Sequence, residues 1–223
     1  MQNENTQTTV TDKINEFIKR NRTGIYIFLG AIVFLFTGLI VYLSLNSYFQ
    51  RKATAEVEEL NSKYIELRLL LSDDHYNDDV DALIKDLTTF AKGKTSYAGA
   101  RAWTIIAQIH SEKKEWPHAE EAWRNAAKAG VKTYLAPVAF FNAAVAAENQ
   151  GNPEDAIELL EKCVSYKLDF PSAPRAQFSI GRLNEQLGNY SAAAEAYRAV
   201  LVNWPNIEIW VNLAQSRLAV IEE

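Results

Sequence analysis

The chain has 223 residues and a mass of 25.1 kDa, room for one domain of about 150–200 residues with short additions. Hydrophobic residues make up 48% and charged residues 23%, which excludes a disordered polymer, and the nine glycines and six prolines, none before Pro117, exclude a collagen-like or turn-dense all-β chain. The single cysteine, Cys163, excludes an internal disulfide framework and any multi-cysteine zinc or iron–sulfur site.

Residues 1–23 read as a short tail. Met1–Thr11 is rich in Asn, Gln and Thr and has almost nothing apolar to bury, so it is expected to be disordered, while Ile14, Phe17 and Ile18 allow a short amphipathic helix. From Thr23 to Gln50 there is no charged residue, and Ile25–Leu45 is a run of mostly Ile, Leu, Val and Phe. At about 1.5 Å per residue that run crosses a hydrocarbon layer of roughly 30 Å. Tyr26 at one edge and Tyr48 and Phe49 at the other suit the interfaces. A cleaved signal peptide has a shorter apolar core and a small-x-small cleavage site, for which Ser44-Leu45-Asn46-Ser47-Tyr48 is a poor match. Residues 24–48 are therefore predicted to be an uncleaved single-pass transmembrane helix. Lys13, Lys19, Arg20 and Arg22 precede it, against Arg51, Lys52 and Lys63 after it. This small bias and the short basic tail place the N-terminus in the cytoplasm and the remainder outside.

Residues 48–223 hold 19 Lys/Arg and 25 Asp/Glu, a net charge of −6. Nucleic-acid affinity comes largely from phosphate neutralisation, so an acidic domain without a basic stripe is not expected to bind nucleic acid. Residues 49–96 form the next region. Val57, Leu60, Tyr64, Leu67 and Leu71 are spaced 3-4-3-4, and after the polar stretch Ser72–Asp79 come Val80, Leu83, Leu87 and Phe90. The two stripes fit an antiparallel helical hairpin; the alternative is a stalk that self-associates through Val57–Leu71.

Beyond Gly93 a period of 37 emerges. Ala107, Ala144 and Gly181 recur at that interval, as do Ala119, Ala156 and Ala193, followed four residues later by Trp123, Leu160 and Tyr197. Small residues at two fixed points let paired helices approach closely, and the large side chain fills the space beside them. Turn signals fall between, at Lys113–Pro117, Gln150–Pro153 and Leu187–Tyr190. Asn152 suits a helix cap, with Pro153 in the first helical position. Each unit is a helix–turn–helix that buries its apolar face only by stacking. Residues 97–223 thus read as three repeats, closed by a cap helix with its buried stripe at Ile207, Val211, Ala214, Leu218 and Ile221.

These units resemble the tetratricopeptide repeat (TPR) family. The third keeps Ile180-Gly181, Gly188, Tyr190, Ala193, Tyr197 and Pro205; the first keeps Trp103, Ile106-Ala107, Trp116, Ala119 and Trp123; the second keeps Phe140, Ala143-Ala144, Gly151, Ala156 and Leu160. The period of 37 exceeds the family's 34, and Gln177 and Asn184 stand where large apolar or aromatic side chains are usual. The resemblance implies an all-α right-handed solenoid that binds other polypeptides. Its first helices would line a concave groove carrying Arg101, Thr104, Gln108, Phe141, Val145, Glu148, Asn149, Arg175, Phe178, Arg182 and Glu185. Phe141, Val145 and Phe178 offer an apolar strip with arginines around it, suited to a peptide; otherwise the two phenylalanines simply pack between helices. On this view Arg182→Glu is expected to weaken capture and leave folding nearly unchanged.

The layout also resembles the bacterial inner-membrane proteins with a periplasmic TPR-like domain that act as ancillary subunits of the Sec translocon. That resemblance implies contacts with the translocon and with periplasmic chaperones. Similar tethered scaffolds serve other envelope machines, including periplasmic flagellar collars and envelope-assembly complexes.

Chemical motifs are sparse. His110 sits on an apolar helix face, His118 in a helix's first turn and His75 in the acidic turn, none with metal-ligand spacing. Asp73, His75, Asn77 and Asp79 alternate like a calcium loop, but Asp78 replaces the required Gly and Ile84 stands in place of the bidentate Glu. Gly93-Lys94-Thr95 matches the end of a phosphate-binding loop, but Thr88 stands where its first Gly belongs and no strand leads into it. Cys163 reads as inert core. No catalytic residue, cofactor or metal is assigned, and the expectation is an interaction protein, not an enzyme.

Overall fold

A computed structural model describes residues 10–69, 76–166 and 170–222. Of the tail Met1–Thr11 expected to be disordered, residues 1–9 lie outside these residues, as do Leu71 of the first apolar stripe and Asp73 and His75 of the calcium-like alternation, whereas Val10 and Thr11 are helical. The described chain is helical and contains no strand. Its helices are α1 (Val10–Leu69), α2 (Tyr76–Ala91), α3 (Tyr97–Glu112), α4 (Trp116–Ala129), α5 (Leu135–Asn149), α6 (Pro153–Val164), α7 (Ala173–Gln186), α8 (Tyr190–Asn203) and α9 (Glu208–Ile221). Two compact units divide the chain, residues 1–51 and 52–223.

The first unit holds the N-terminal part of α1. Asn21 leaves helical geometry (φ −109°, ψ 15°), marking a kink where its amide Nδ2 donates to the Phe17 carbonyl (2.9 Å). Beyond the kink the helix is long and apolar enough to cross a membrane, and none of its most apolar stretch is buried against protein. Phe34, Leu35 and Phe36 are exposed, as a lipid-facing surface would be.

In the second unit, α3 with α4, α5 with α6 and α7 with α8 form successive antiparallel pairs, and α9 stacks on the last. One turn is built three times. The amides of Lys114, Gly151 and Gly188 donate to the carbonyls of Ser111, Glu148 and Glu185, and those of Glu115, Asn152 and Asn189 to His110, Ala147 and Asn184. This crossed pattern ends a helix with a left-handed residue, here Lys114 (φ 59°), Gly151 (79°) and Gly188 (76°). Glycine adopts that conformation freely; Lys114 does so with a side chain. Asn152 takes the cap position before Pro153, but its side chain makes no capping bond, because the turn already orders the backbone there.

Small residues set the helix spacing. Ala107, Ala119, Ala144, Ala156 and Ala193 are buried. At Gly181 a Cβ would fall 2.5 Å from the Tyr197 ring, so the tyrosine occupies the space a side chain would need. The main core runs from α1 and α2 through α7, and a second cluster joins Tyr197 and Val200 of α8 to Ala214 and Leu218 of α9. In α9 the expected stripe is only half buried: Val211 and Ile221 are partly covered and Ile207 is exposed, because among the described helices α9 packs mainly on α8.

Val57, Leu60 and Tyr64 share the main core with Val80, Leu83, Leu87 and Phe90 of α2. Side chains also tie this part of α1 to α3: Tyr64 donates its hydroxyl to Glu112 (2.6 Å), and Glu58 pairs with Arg101 (3.2 Å). The self-association seam proposed for Val57–Leu71 is corrected at these positions, since their apolar surface is consumed within the chain's own core.

Candidate functional site: the face of the first helices

The first helix of each pair, α3, α5 and α7, continues into α9 as one row. Along α5, Val138, Phe141, Asn142, Val145 and Asn149 fall on one side at helical spacing, as do Arg175, Phe178, Arg182 and Glu185 on α7. Ion pairs bridge neighbouring members. Glu148 of α5 meets Arg182 of α7 (2.7 Å), and Glu185 of α7 meets Arg217 of α9 through two guanidinium nitrogens, Nη2 and Nε, the latter at 3.1 Å. Glu148 and Glu185 are 37 residues apart, so the pairing repeats with the fold. One rung is missing: the positions equivalent to Glu148 and Arg182 one repeat earlier hold Ser111 and Val145. Ser111 donates to the Ala107 carbonyl (2.6 Å) and accepts from Trp123 Nε1 (3.3 Å), which leaves Val145 as an exposed apolar gap where a charged rung would stand.

Phe141 lies beside that gap, half-buried, with Phe170 at 6.4 Å between ring centroids and the Arg175 guanidinium 4.9 Å from its own centroid. Arg175 is exposed and stacks on this ring, whereas Arg101 and Arg182 are already held by carboxylates. Asn149 donates Nδ2 to the Val145 carbonyl (2.7 Å) and is exposed. Gln108 is half-buried on α3. Further along, Phe178, Arg182 and Glu185 join Gln186, Tyr197 and Arg217 around a concavity of about 420 Å³.

Two expected features change. Thr104 is 6% exposed and spends its hydroxyl on the Ala100 carbonyl (2.9 Å), so it belongs to the interior of α3 and not to a groove surface. The apolar strip is also interrupted: Phe178 packs on Tyr197 and Trp210 (5.2 and 5.6 Å), covering the second core cluster, while Phe141 and Val145 remain at the surface. Sequence reasoning missed Arg217 and Glu58, and singled out Tyr197 only as the large residue of the third repeat, not as part of this face. The signal for Arg217 lay in its spacing of 35 from Arg182, which needs the adjacency of α7 and α9 to be interpreted.

Electrostatically, Glu185 is the best-held group on this face. The Arg217 guanidinium, aided by the Tyr197 hydroxyl (3.0 Å), keeps its carboxyl below its ordinary value. Burial, reinforced by Glu185, pushes Tyr197 up to about 12. Burial likewise pushes the Cys163 thiol up to about 12, which leaves it protonated at neutral pH. The polar departures noted at Asn184 and Gln177 are absorbed by backbone: their amides donate to the carbonyls of Ile180 (2.9 Å) and Ala196 (3.3 Å). His110 Nδ1 lies 2.6 Å from Glu115 Oε2 and its ring 5.3 Å from that of His118; among the described residues no three ligating side chains converge on a metal position. Gly93-Lys94 forms the turn after α2, with Lys94 Nζ directed at the Phe90 carbonyl and ring.

The tetratricopeptide repeat family model matches residues 106–165 and 164–206. A TPR repeat-containing protein of Treponema pallidum (strain Nichols) is 36% identical over 143 residues, which cover 63% of this chain and 59% of that relative. Stacked helix pairs of this kind build protein-binding scaffolds. Residues 106–206 of this chain thus match tetratricopeptide repeats in sequence, in the same region where the structure stacks its helix pairs.

Proposed function

We propose that this chain is a membrane-tethered scaffold that captures polypeptide segments on the face of its first helices, outside the cytoplasm. The apolar gap at Phe141 and Val145, where the rung is missing beside the Glu148–Arg182 pair, carries the reading: it is a partly exposed apolar surface with polar groups beside it. A span at residues 24–48 would confine the repeats to the bilayer surface and raise their effective concentration toward membrane machinery, so weak contacts suffice. The basic residues before the span favour an N-terminus in the cytoplasm and repeats in the periplasm of a bacterial inner membrane. In that setting the layout suits an ancillary subunit of the Sec translocon that also meets periplasmic chaperones.

The test is a photo-crosslinking residue at Val145 in intact cells, with adducts identified by mass spectrometry and Val202 as an exposed control. Translocon subunits or chaperones captured from position 145 and absent from 202 support the reading. Adducts only to flagellar or envelope-assembly components replace the translocon role, and identical adducts from both positions remove the groove.

A further inference from the structure

Away from the first-helix face, a cavity of about 530 Å³ lies between the end of α6, the middle of α7 and the end of α8, lined by Glu161, Val164, Gln177, Ile180 and Trp204 among others. Two departures from the chain's own repeat meet there. Position 177 is occupied one and two repeats earlier by Phe140 and Trp103, both packed against the core. Glutamine is slimmer than either and turns its amide to the Ala196 carbonyl, so the volume an aromatic ring would fill stays open. Position 161 is occupied by Arg124 one repeat earlier and by Arg198 one repeat later, each ion-paired, to Asp155 and Glu120 and to Glu222. The middle unit carries a carboxylate instead, exposed and without an ion pair among the described residues.

A cavity with an apolar floor of Val164 and Ile180, an indole wall and, at its rim, a carboxylate without an ion pair among the described residues matches one kind of side chain. A long aliphatic stem is accommodated by the floor, and a terminal cation is attracted by both the carboxylate and the indole face. We propose that this cavity binds a lysine or arginine side chain of a partner polypeptide, with its cation on Glu161 and its stem against Trp204, Val164 and Ile180. The surface is separate from the capture face described above, and a partner that engages both would bind with the avidity of two linked contacts.

The full chain, labelled with 5-fluorotryptophan, reports the site through its fluorine resonances; it has five tryptophans, and Trp204→Phe identifies the relevant one. Nα-acetyl-lysine methylamide should move the Trp204 resonance saturably. The uncharged norleucine analogue should bind at least about tenfold more weakly. Glu161→Arg, which restores the residue type of the neighbouring repeats at an exposed position, should weaken the lysine probe by a similar factor. Gln177→Phe should abolish the response while raising the melting temperature, and Arg182→Glu should leave it unchanged. The proposal is overturned if the lysine probe leaves Trp204 unmoved, if norleucine or a glutamate analogue binds equally well, or if Glu161→Arg retains full affinity.

Discussion

The pairs α5–α6 and α7–α8 occupy the same phase of the repeat and are packed by opposite means. In the former, Ala139, Ala143, Ala146 and Ala147 let α5 approach its neighbours through methyl groups, with Leu159 and Leu160 filling between. In the latter a single glycine, Gly181, admits the whole ring of Tyr197, which reaches on to Phe178 and to the carboxylate of Glu185. The repeat therefore conserves a volume shared across two helices, not the residue on either one. The alanine solution relies on many interchangeable contacts. The glycine–tyrosine solution concentrates the fit in one pair and couples it to charge.

The largest effect should follow from Gly181→Ala, because the ring that a Cβ would strike is fully buried. A loss of about 3 kcal/mol is expected in denaturant unfolding followed by circular dichroism. Adding Tyr197→Leu rebuilds the Ala144–Leu160 combination of the preceding unit, so the double variant should be more stable than the sum of the single losses by at least about 1 kcal/mol; simple additivity would break the comparison. Ala144→Leu, at a position 2% exposed, should cost about 2 kcal/mol, with no equivalent rescue from a single neighbour.

A smaller loss, about 1 kcal/mol, is expected for Glu185→Gln, which removes the charged acceptor of Tyr197 and Arg217. Its pH dependence fixes the cause. Glu185 titrates below its ordinary value of 4.5 in the folded chain, so its contribution is complete above that value and disappears as pH falls through the lower, folded one. Acid unfolding of the variant should accordingly be shallower than that of the parent below about pH 4.5, with parallel behaviour near neutrality. Equal slopes would show that the carboxylate contributes nothing beyond its shape.

The smallest expected loss, about 0.5 kcal/mol, belongs to Arg182→Glu, since the Glu148 pair is about 40% exposed on each side (42% and 39%). This modifies the expectation that the exchange leaves folding nearly untouched: the new carboxylate would face Glu148. Capture at Val145 measured beside the melting point separates the two effects.

Much of this arrangement was legible before any coordinates. The recurrence of Ala107, Ala144 and Gly181, read with Trp123, Leu160 and Tyr197, identifies paired helices because close approach demands a small residue opposite a large one. Lys114 conceals one turn, since nothing in a lysine announces a left-handed conformation; its place 37 residues before Gly151 does. The groove was harder. Helical phase puts Thr104 on the same side as Arg101 and Gln108, but the side chain is short enough to be covered by its surroundings and satisfied by its own backbone. The ion pairs from Glu148 and Glu185 depend on the distance between helices about 35 residues apart in sequence, which no local pattern encodes.

The rungs along the first helices have a further consequence for solution conditions. With Arg182 and Arg217 already neutralised by carboxylates of the same chain, a segment docking on Phe141 and Val145 displaces few counterions. Its affinity should change little as ionic strength rises, whereas an encounter steered by unpaired surface charge fades once the Debye length shrinks to about 3 Å in molar salt. Washing a captured partner at high salt is thus a gentle step for this surface, where low-salt adhesion would run through the exposed Arg175 beside Phe141.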